Sequence, residues 1–249
     1  MLKVLEEIFE KKTIEVDTTG ERVNLHSHTS KEQGLFIQKM FDEVLPKRTL
    51  EVGMAYGISS LFILEKHKEH NSEPGSHLII EPFPWGNTAA HNFQKAGLLN
   101  YARIINKLSD EVLPELYARK EHIQFAFVDT TKLFDVVMQD FYFIDKILDI
   151  NGVIIIDDCD TTGINLVARF INNLENYKLI GSVGKVNLSW KRTLFNKMIN
   201  FFIKIVPFKH SVFPNFSFKS SEELGIDYRC LAFKKMSHDK RNWDAKQIL

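Results

Sequence analysis

The segment Thr49–Phe62 constrains this chain most, because it reads as a buried strand that turns through Gly53 and Gly57 directly into a helix. A turn of this kind brings backbone amides and a helix N-terminus up to a ligand, and glycine is needed wherever a side chain would block that approach. The spacing narrows the ligand. A pyrophosphate seated on the amides asks for G-x-G-x-x-G, whereas this chain offers Glu51-x-Gly53-x-x-x-Gly57. A carboxylate at Glu51 would repel a pyrophosphate. It suits a ligand that has no phosphate and carries an ammonium group. A tight turn that only packs a helix on a sheet is the competing reading of the same glycines.

From Thr49 onward short apolar runs alternate with helical patterns, the signature of a parallel sheet with helices on both faces. Strands are expected near Thr49–Val52, His77–Glu81, Ala102–Asn106, Ile123–Val128 and Gly152–Ile156, with Tyr177–Val183 and Arg229–Lys234 completing the sheet. The fold class is therefore α/β: a Rossmann-like, doubly wound, mostly parallel seven-stranded sheet. A length of 249 residues suits one domain, 1–249. Within it, 1–48 is expected to be a helical segment that closes over the cofactor. Gly20–Ser30 reads as a loop, and Ser30-Lys-Glu-Gln33 has capping-box spacing, so a helix should run from about Lys31 to Val44.

Lysine plus arginine (32) equals aspartate plus glutamate (32), so no global field draws the chain to nucleic acid or anionic lipid, and a small-molecule partner is expected. Cys159 and Cys230 are far apart and fit no C-x-x-C pattern, which points to reduced thiols. The N-terminus alternates charged and apolar residues, unlike a signal peptide or a membrane span, so a cytoplasmic location is expected. The segment Trp190–Phe218 breaks the strand–helix alternation and holds seven of the twenty phenylalanines. Three readings stand for it: a lid or pocket wall, a homodimer contact, and attachment to a membrane surface.

In an open parallel sheet the ligand lies off the carboxyl ends of the strands, so the residues just after each strand matter most. Glu81 follows the second predicted strand, where a carboxylate can accept both hydroxyls of a ribose, and Phe83 would then flank an adenine. Ser109 reads either as a contact to the adenine edge or as the N-cap of the next helix. Asp129 ends the fourth strand, and Asp157 and Asp158 end the fifth. Three converging carboxylates repel one another, which a divalent cation would resolve, and oxygen-only ligands suit magnesium, calcium or manganese. Alternatively, Asp129 binds an ammonium while one of the aspartate pair caps a helix.

The turn Glu51–Leu61, with Gly53, Ala55 and Gly57 at its cofactor-facing positions, resembles the first motif of the class I S-adenosylmethionine-dependent methyltransferases. From about Ser30 to Ile180 the chain is similar to the cation-dependent O-methyltransferases of the catechol and caffeoyl-CoA type and to a related bacterial group. Glu32–Phe36 is similar to that family's Glu-Gly-x-Phe-Leu helix. The resemblance implies that Ser59 lies near the cofactor's carboxylate. It also implies that Asp129-x-x-Lys132 supplies a metal ligand and a general base, and that Asp157-Asp158 replaces an Asp-Asn metal pair. Thr130-Thr131-Lys132 stands where the bacterial group has a Gly-Asn-His-like run, so that histidine base is missing. Lys132 serves as base only if its pKa falls toward neutrality; His26 and His28 are the other candidates. The expected function is O-methylation of a small-molecule, sugar or natural-product acceptor with S-adenosylmethionine. The rivals are an NAD(P)-dependent oxidoreductase and a non-catalytic cofactor-binding interaction protein.

Overall fold

The computed structural model describes residues 2–25, 28–83, 85–186 and 219–242. The Phe-rich segment 190–218 and His26 lie outside the described residues. The chain opens with α1 (Lys3–Lys11) and a small antiparallel hairpin, β1 (Thr13–Glu15) and β2 (Arg22–Asn24). The hairpin was not expected from the sequence. Each of its strands is three residues long, too short to show alternation. Arg22 fastens it, donating to the Thr13 hydroxyl at 2.8 Å and to Glu7 at 2.9 Å.

The main body follows as α2 (Lys31–Val44), β3 (Thr49–Val52), α3 (Ile58–Glu69), β4 (His77–Ile80), α4 (Trp85–Lys95) and β5 (Ala102–Ile105). Then come α5 (Ser109–Ala118), β6 (Ile123–Val128), α6 (Phe134–Ile147), β7 (Leu148–Ile156), α7 (Thr162–Asn173), β8 (Tyr177–Lys185) and β9 (Tyr228–Lys235). The seven-stranded sheet has the order β5-β4-β3-β6-β7-β9-β8. β3 to β7 are parallel, and β9 runs antiparallel to both of its neighbours. The chain winds outward from β3 to β5 and returns at β6, so the switch point lies between β3 and β6. The expected capping box is present: the Ser30 side chain accepts from Gln33, whose own side chain accepts from the Ser30 amide.

Period-two alternation distributes the strand side chains between two cores. Leu50, Val52, Ala126, Val128, Ile154 and Ile156 pack with α5, α6 and α7 on one face. Ile79, Phe125, Phe127 and Ile155 point to the other face, where α1 to α4 lie. Parallel strands covered on both faces read as apolar runs, as β6 does from Phe125 to Val128 and β7 from Val153 to Ile156.

Candidate active site

The strand register sets the site. Val52 pairs with Ile80 and with Val128, and Val128 pairs with Ile156. The next residue on each strand, Gly53, Glu81, Asp129 and Asp157, therefore stands at one level along the carboxyl edge of the sheet. Gly53 has φ +82°, and a Cβ there would lie 2.0 Å from the Asp129 carbonyl oxygen. Glycine is thus required for the close approach of β3 and β6. Gly57, also at φ +82°, would drive a Cβ to 2.8 Å from Ala89 and Phe93, so it admits α4 against the turn. The packing role and the ligand-facing role of these glycines coexist, and Ala55 between them takes a left-handed φ of +47°, an unusual conformation for a residue with a Cβ.

Glu81 organises the turn from the neighbouring strand. Its Oε2 accepts the amides of Met54 (2.9 Å) and Ala55 (2.8 Å), and its Oε1 accepts that of Phe83 (3.1 Å). Glu51, expected to face the ligand, does not. It is the third residue of β3, and alternation turns its side chain under α3, where it is 0 % exposed. There its two oxygens accept short hydrogen bonds from Ser59 and Ser60, and His77 Nε2 lies 2.9 Å from Oε2. His77 continues through Nδ1 to the Thr49 hydroxyl, which also meets His67, each at 2.8 Å. Glu51 is a buried anchor between strand and helix, and the Ser59 hydroxyl is committed to it.

The carboxylates of the fifth parallel strand are already neutralised by protein groups. Arg229 donates to Asp158 Oδ1 at 2.9 Å and sets its Nε 3.7 Å from Asp157. Lys132 pairs with Asp158 Oδ2 at 2.9 Å. Gln33 Nε2 donates to both oxygens of Asp157 at 2.9 Å, and the Asp158 amide donates to Asp157 Oδ1 at 2.8 Å. The expected divalent cation at Asp129, Asp157 and Asp158 does not fit this donor set, because guanidinium, ammonium and amide groups fill the positions a cation would need. Among the described residues no cluster of three or more His, Cys, Asp or Glu is placed to hold an ion. Lys132 also departs from its expected role as base. The Asp158 carboxylate raises its pKa, and the side chain is 61 % exposed, so it stays protonated.

Burial, then repulsion from Asp157 and Asp158, holds the Asp129 carboxyl above the usual carboxylate range. Burial also raises Asp157, against the lowering effect of the Asp158 amide, Arg229 and Gln33. Asp129 opens into a cavity of about 560 Å³ that runs along the carboxyl edge. Gly53, Ala55, Ser59, Glu81, Phe83 and Ser109 line it, with His28 and Lys132 at its wall. Phe83 is 61 % exposed, and Ser109 is the first residue of α5. Glu51 and Asp157 are not among the lining residues, whereas Asp158 is. The sequence also left unassigned Thr130 and Asp140, which line the cavity, and Arg229 and Gln33, which reach the aspartate pair.

Residues 50–159 match the family model described as a methyltransferase domain. No curated protein matches the chain by sequence. Among solved structures, the chain is similar to an O-methyltransferase from Bacillus cereus in complex with SAH, at 21 % identity, a TM-score of 0.57, and coverage of 71 % of this chain and 82 % of that one. It is also similar to the O-methyltransferase TomG from Streptomyces achromogenes, bound to SAM, at 18 % identity, a TM-score of 0.53, and coverage of 64 % and 76 %. A SAH-bound methyltransferase from Podospora anserina gives 17 % identity, a TM-score of 0.56, and coverage of 72 % and 83 %. The matched segment, which holds the glycine turn and the carboxyl ends of all the parallel strands from β3 to β7, is similar to a methyltransferase domain, and the sheet around it has a Rossmann-like topology.

Proposed function

We propose that this protein transfers a methyl group from S-adenosylmethionine to an oxygen of a small-molecule acceptor. The observation that carries the reading is the cavity at the switch point, where Gly53, Glu81 and Asp129 stand at one level and face the same space. The domain match and the O-methyltransferases among the structural neighbours support it.

The residues present fit the cofactor. Three backbone amides occupy most of the Glu81 acceptor capacity and leave one direction on Oε1 for a ribose hydroxyl. Asp129 suits the methionyl ammonium, since a cation would relieve the repulsion it feels from Asp157 and Asp158. Phe83 offers an exposed ring to the adenine. S-adenosylmethionine supplies an electrophilic methyl on a sulfonium, and positioning an acceptor oxygen in line with it provides most of the rate.

His28 is our candidate for the group that takes the acceptor's proton, because it lines the cavity. Lys132, held protonated by Asp158, orients the acceptor as a cation. The test is incubation with methyl-labelled S-adenosylmethionine and a panel of phenols and sugars, with the products read by mass spectrometry. Label on oxygen is expected. Label confined to nitrogen or carbon, or no transfer by a protein that binds the cofactor, would overturn the reading.

A further inference from the structure

α3 buries every residue from Ile58 to Leu64, so no polar face orients its first two turns. Apolar contacts are non-directional, and by themselves they leave such a helix free to turn or slide by a fraction of a residue. A run of polar groups crosses this core and ends beneath the cofactor turn. Ser72 Oγ lies 2.9 Å from His67 Nδ1, and His67 Nε2 lies 2.8 Å from the Thr49 hydroxyl. That hydroxyl lies 2.8 Å from His77 Nδ1, and His77 Nε2 lies 2.9 Å from Glu51 Oε2. Glu51, His67 and His77 are fully buried. The run grips α3 twice: at its first turn, where Ser59 and Ser60 donate to Glu51, and near its end, at His67.

The bonds fix where the protons lie. A carboxylate accepts, so His77 Nε2 carries a hydrogen towards Glu51. His77 Nδ1 then accepts from the Thr49 hydroxyl, the Thr49 oxygen accepts from His67 Nε2–H, and His67 Nδ1 accepts from Ser72. A doubly protonated His77 would set two N–H groups against the Thr49 oxygen and leave the Thr49 proton only the Ser76 carbonyl, at 3.5 Å. Burial, then His77 and His70, lowers His67 to about 3, which keeps that imidazole neutral as well. Each bond is directional, and a bond left unmade in the core is costly, so the chain tolerates little movement of any member. We infer that this one-way chain holds α3 in axial register against β3 and β4, and thereby sets the height of the turn between Glu51 and Ser59 at the cavity. Thr49, His67 and His77 are positioning residues for the cofactor, acting through Glu51 and the Ile58 and Ser59 end of α3, which lines the cavity. This rests on the cofactor reading above and adds to it residues that lie beyond reach of the ligand.

The test joins nitrogen-15 NMR of the full chain to calorimetry with S-adenosylhomocysteine. At neutral pH the assigned His67 and His77 signals should both be those of neutral Nε2–H imidazoles. Thr49→Val, nearly isosteric, removes the hydroxyl at the centre of the chain; it should shift both histidine signals and weaken S-adenosylhomocysteine about three- to tenfold, whereas Thr49→Ser should stay within about twofold of the wild type. Ile171→Val, in the apolar packing of α7, should lower melting and leave the affinity within about twofold, which separates positioning from loss of stability. His67→Leu frees the far end of α3 and should weaken binding over the same three- to tenfold range, an independent reading should Thr49→Val fail to fold. Imidazolium or Nδ1–H signals from either histidine of the wild type, unchanged affinity in folded Thr49→Val or His67→Leu, or an equal loss in Thr49→Ser, would overturn the chain while leaving the cofactor reading intact. No binding of S-adenosylhomocysteine by the wild type would overturn the cofactor reading and the positioning role together.

Discussion

Replacing Gly53 by alanine isolates what the cofactor turn needs. A Cβ at φ +82° costs an L residue about 1–2 kcal/mol. The same Cβ would lie 2.0 Å from the Asp129 carbonyl oxygen and 2.7 Å from its carbon, and overpacking against fixed backbone costs about 1–3 kcal/mol more. The two together come to about 2–5 kcal/mol; at about 2–4 °C per kcal/mol for a chain of this size, melting should fall by roughly 4–20 °C. Gly20 supplies the control, because it has φ +81° with nothing within 4 Å of the added Cβ. Gly20→Ala should therefore cost only the backbone part, about 1–2 kcal/mol. Differential scanning calorimetry of both variants gives the difference, and titration with S-adenosylhomocysteine should show about tenfold or greater weakening in Gly53→Ala alone, since Asp129 must move aside. Equal melting of the two variants, with cofactor affinity unchanged in both, would refute the close approach of β3 and β6 as the reason for this glycine.

Glu51→Ala should destabilise the protein by about 3–5 kcal/mol in urea unfolding, because it strands the Ser59, Ser60 and His77 groups in the core; a loss below about 1 kcal/mol would show that the anchor carries no stability. The Asp140 carboxyl, raised from 3.8 to about 6, stays protonated in the folded state over a window where the unfolded chain has lost its proton. Its contribution to stability should thus fall as pH rises from about 4 to about 6, by up to about 3 kcal/mol at 1.36 kcal/mol per pKa unit, and Asp140→Asn should make the slope of melting curves across the window shallower by that share, leaving the part due to Asp129 and Asp157. Calorimetric titration of the wild type with manganese should show no site tighter than about millimolar, while a variant carrying Arg229→Ala and Lys132→Ala should gain affinity as Asp157 and Asp158 are uncovered; micromolar binding by the wild type would show that these carboxylates are open to an ion.

What was legible in the sequence follows from how local each signal is. Period-two runs and the capping box at Ser30 and Gln33 lie within a few residues of themselves, and they located α2 and every strand of the large sheet to within a few residues. The strand-end rule then placed Glu81 and Asp129 at the cavity, because register in a parallel sheet follows from strand ends that the sequence marks. Glu51 was assigned the wrong face of its strand. The strand Thr49–Val52 was expected to contain it, but its side chain was expected at the ligand, whereas the alternation turns it into the core.

The neutralising role of Arg229 could not be read locally. Antiparallel pairing of Ile156 with Leu231 carries Arg229 opposite Asp158 across some seventy residues of chain, and only that register shows the aspartates to be compensated. Asp140 gave no motif at all. It is a helix residue whose meaning comes from the cavity its helix borders. The β1–β2 hairpin was hidden for the opposite reason, each strand being too short for a periodic signal.

Titration of the protein with S-adenosylhomocysteine by isothermal calorimetry, beside NAD and NADP, tests the central claim most directly. The account predicts saturable one-site binding of S-adenosylhomocysteine, a rise in melting temperature with ligand concentration as expected for any ligand selective for the folded state, and no comparable binding of either dinucleotide. No heat and no melting shift at millimolar S-adenosylhomocysteine, or preferential binding of NAD or NADP, would contradict it.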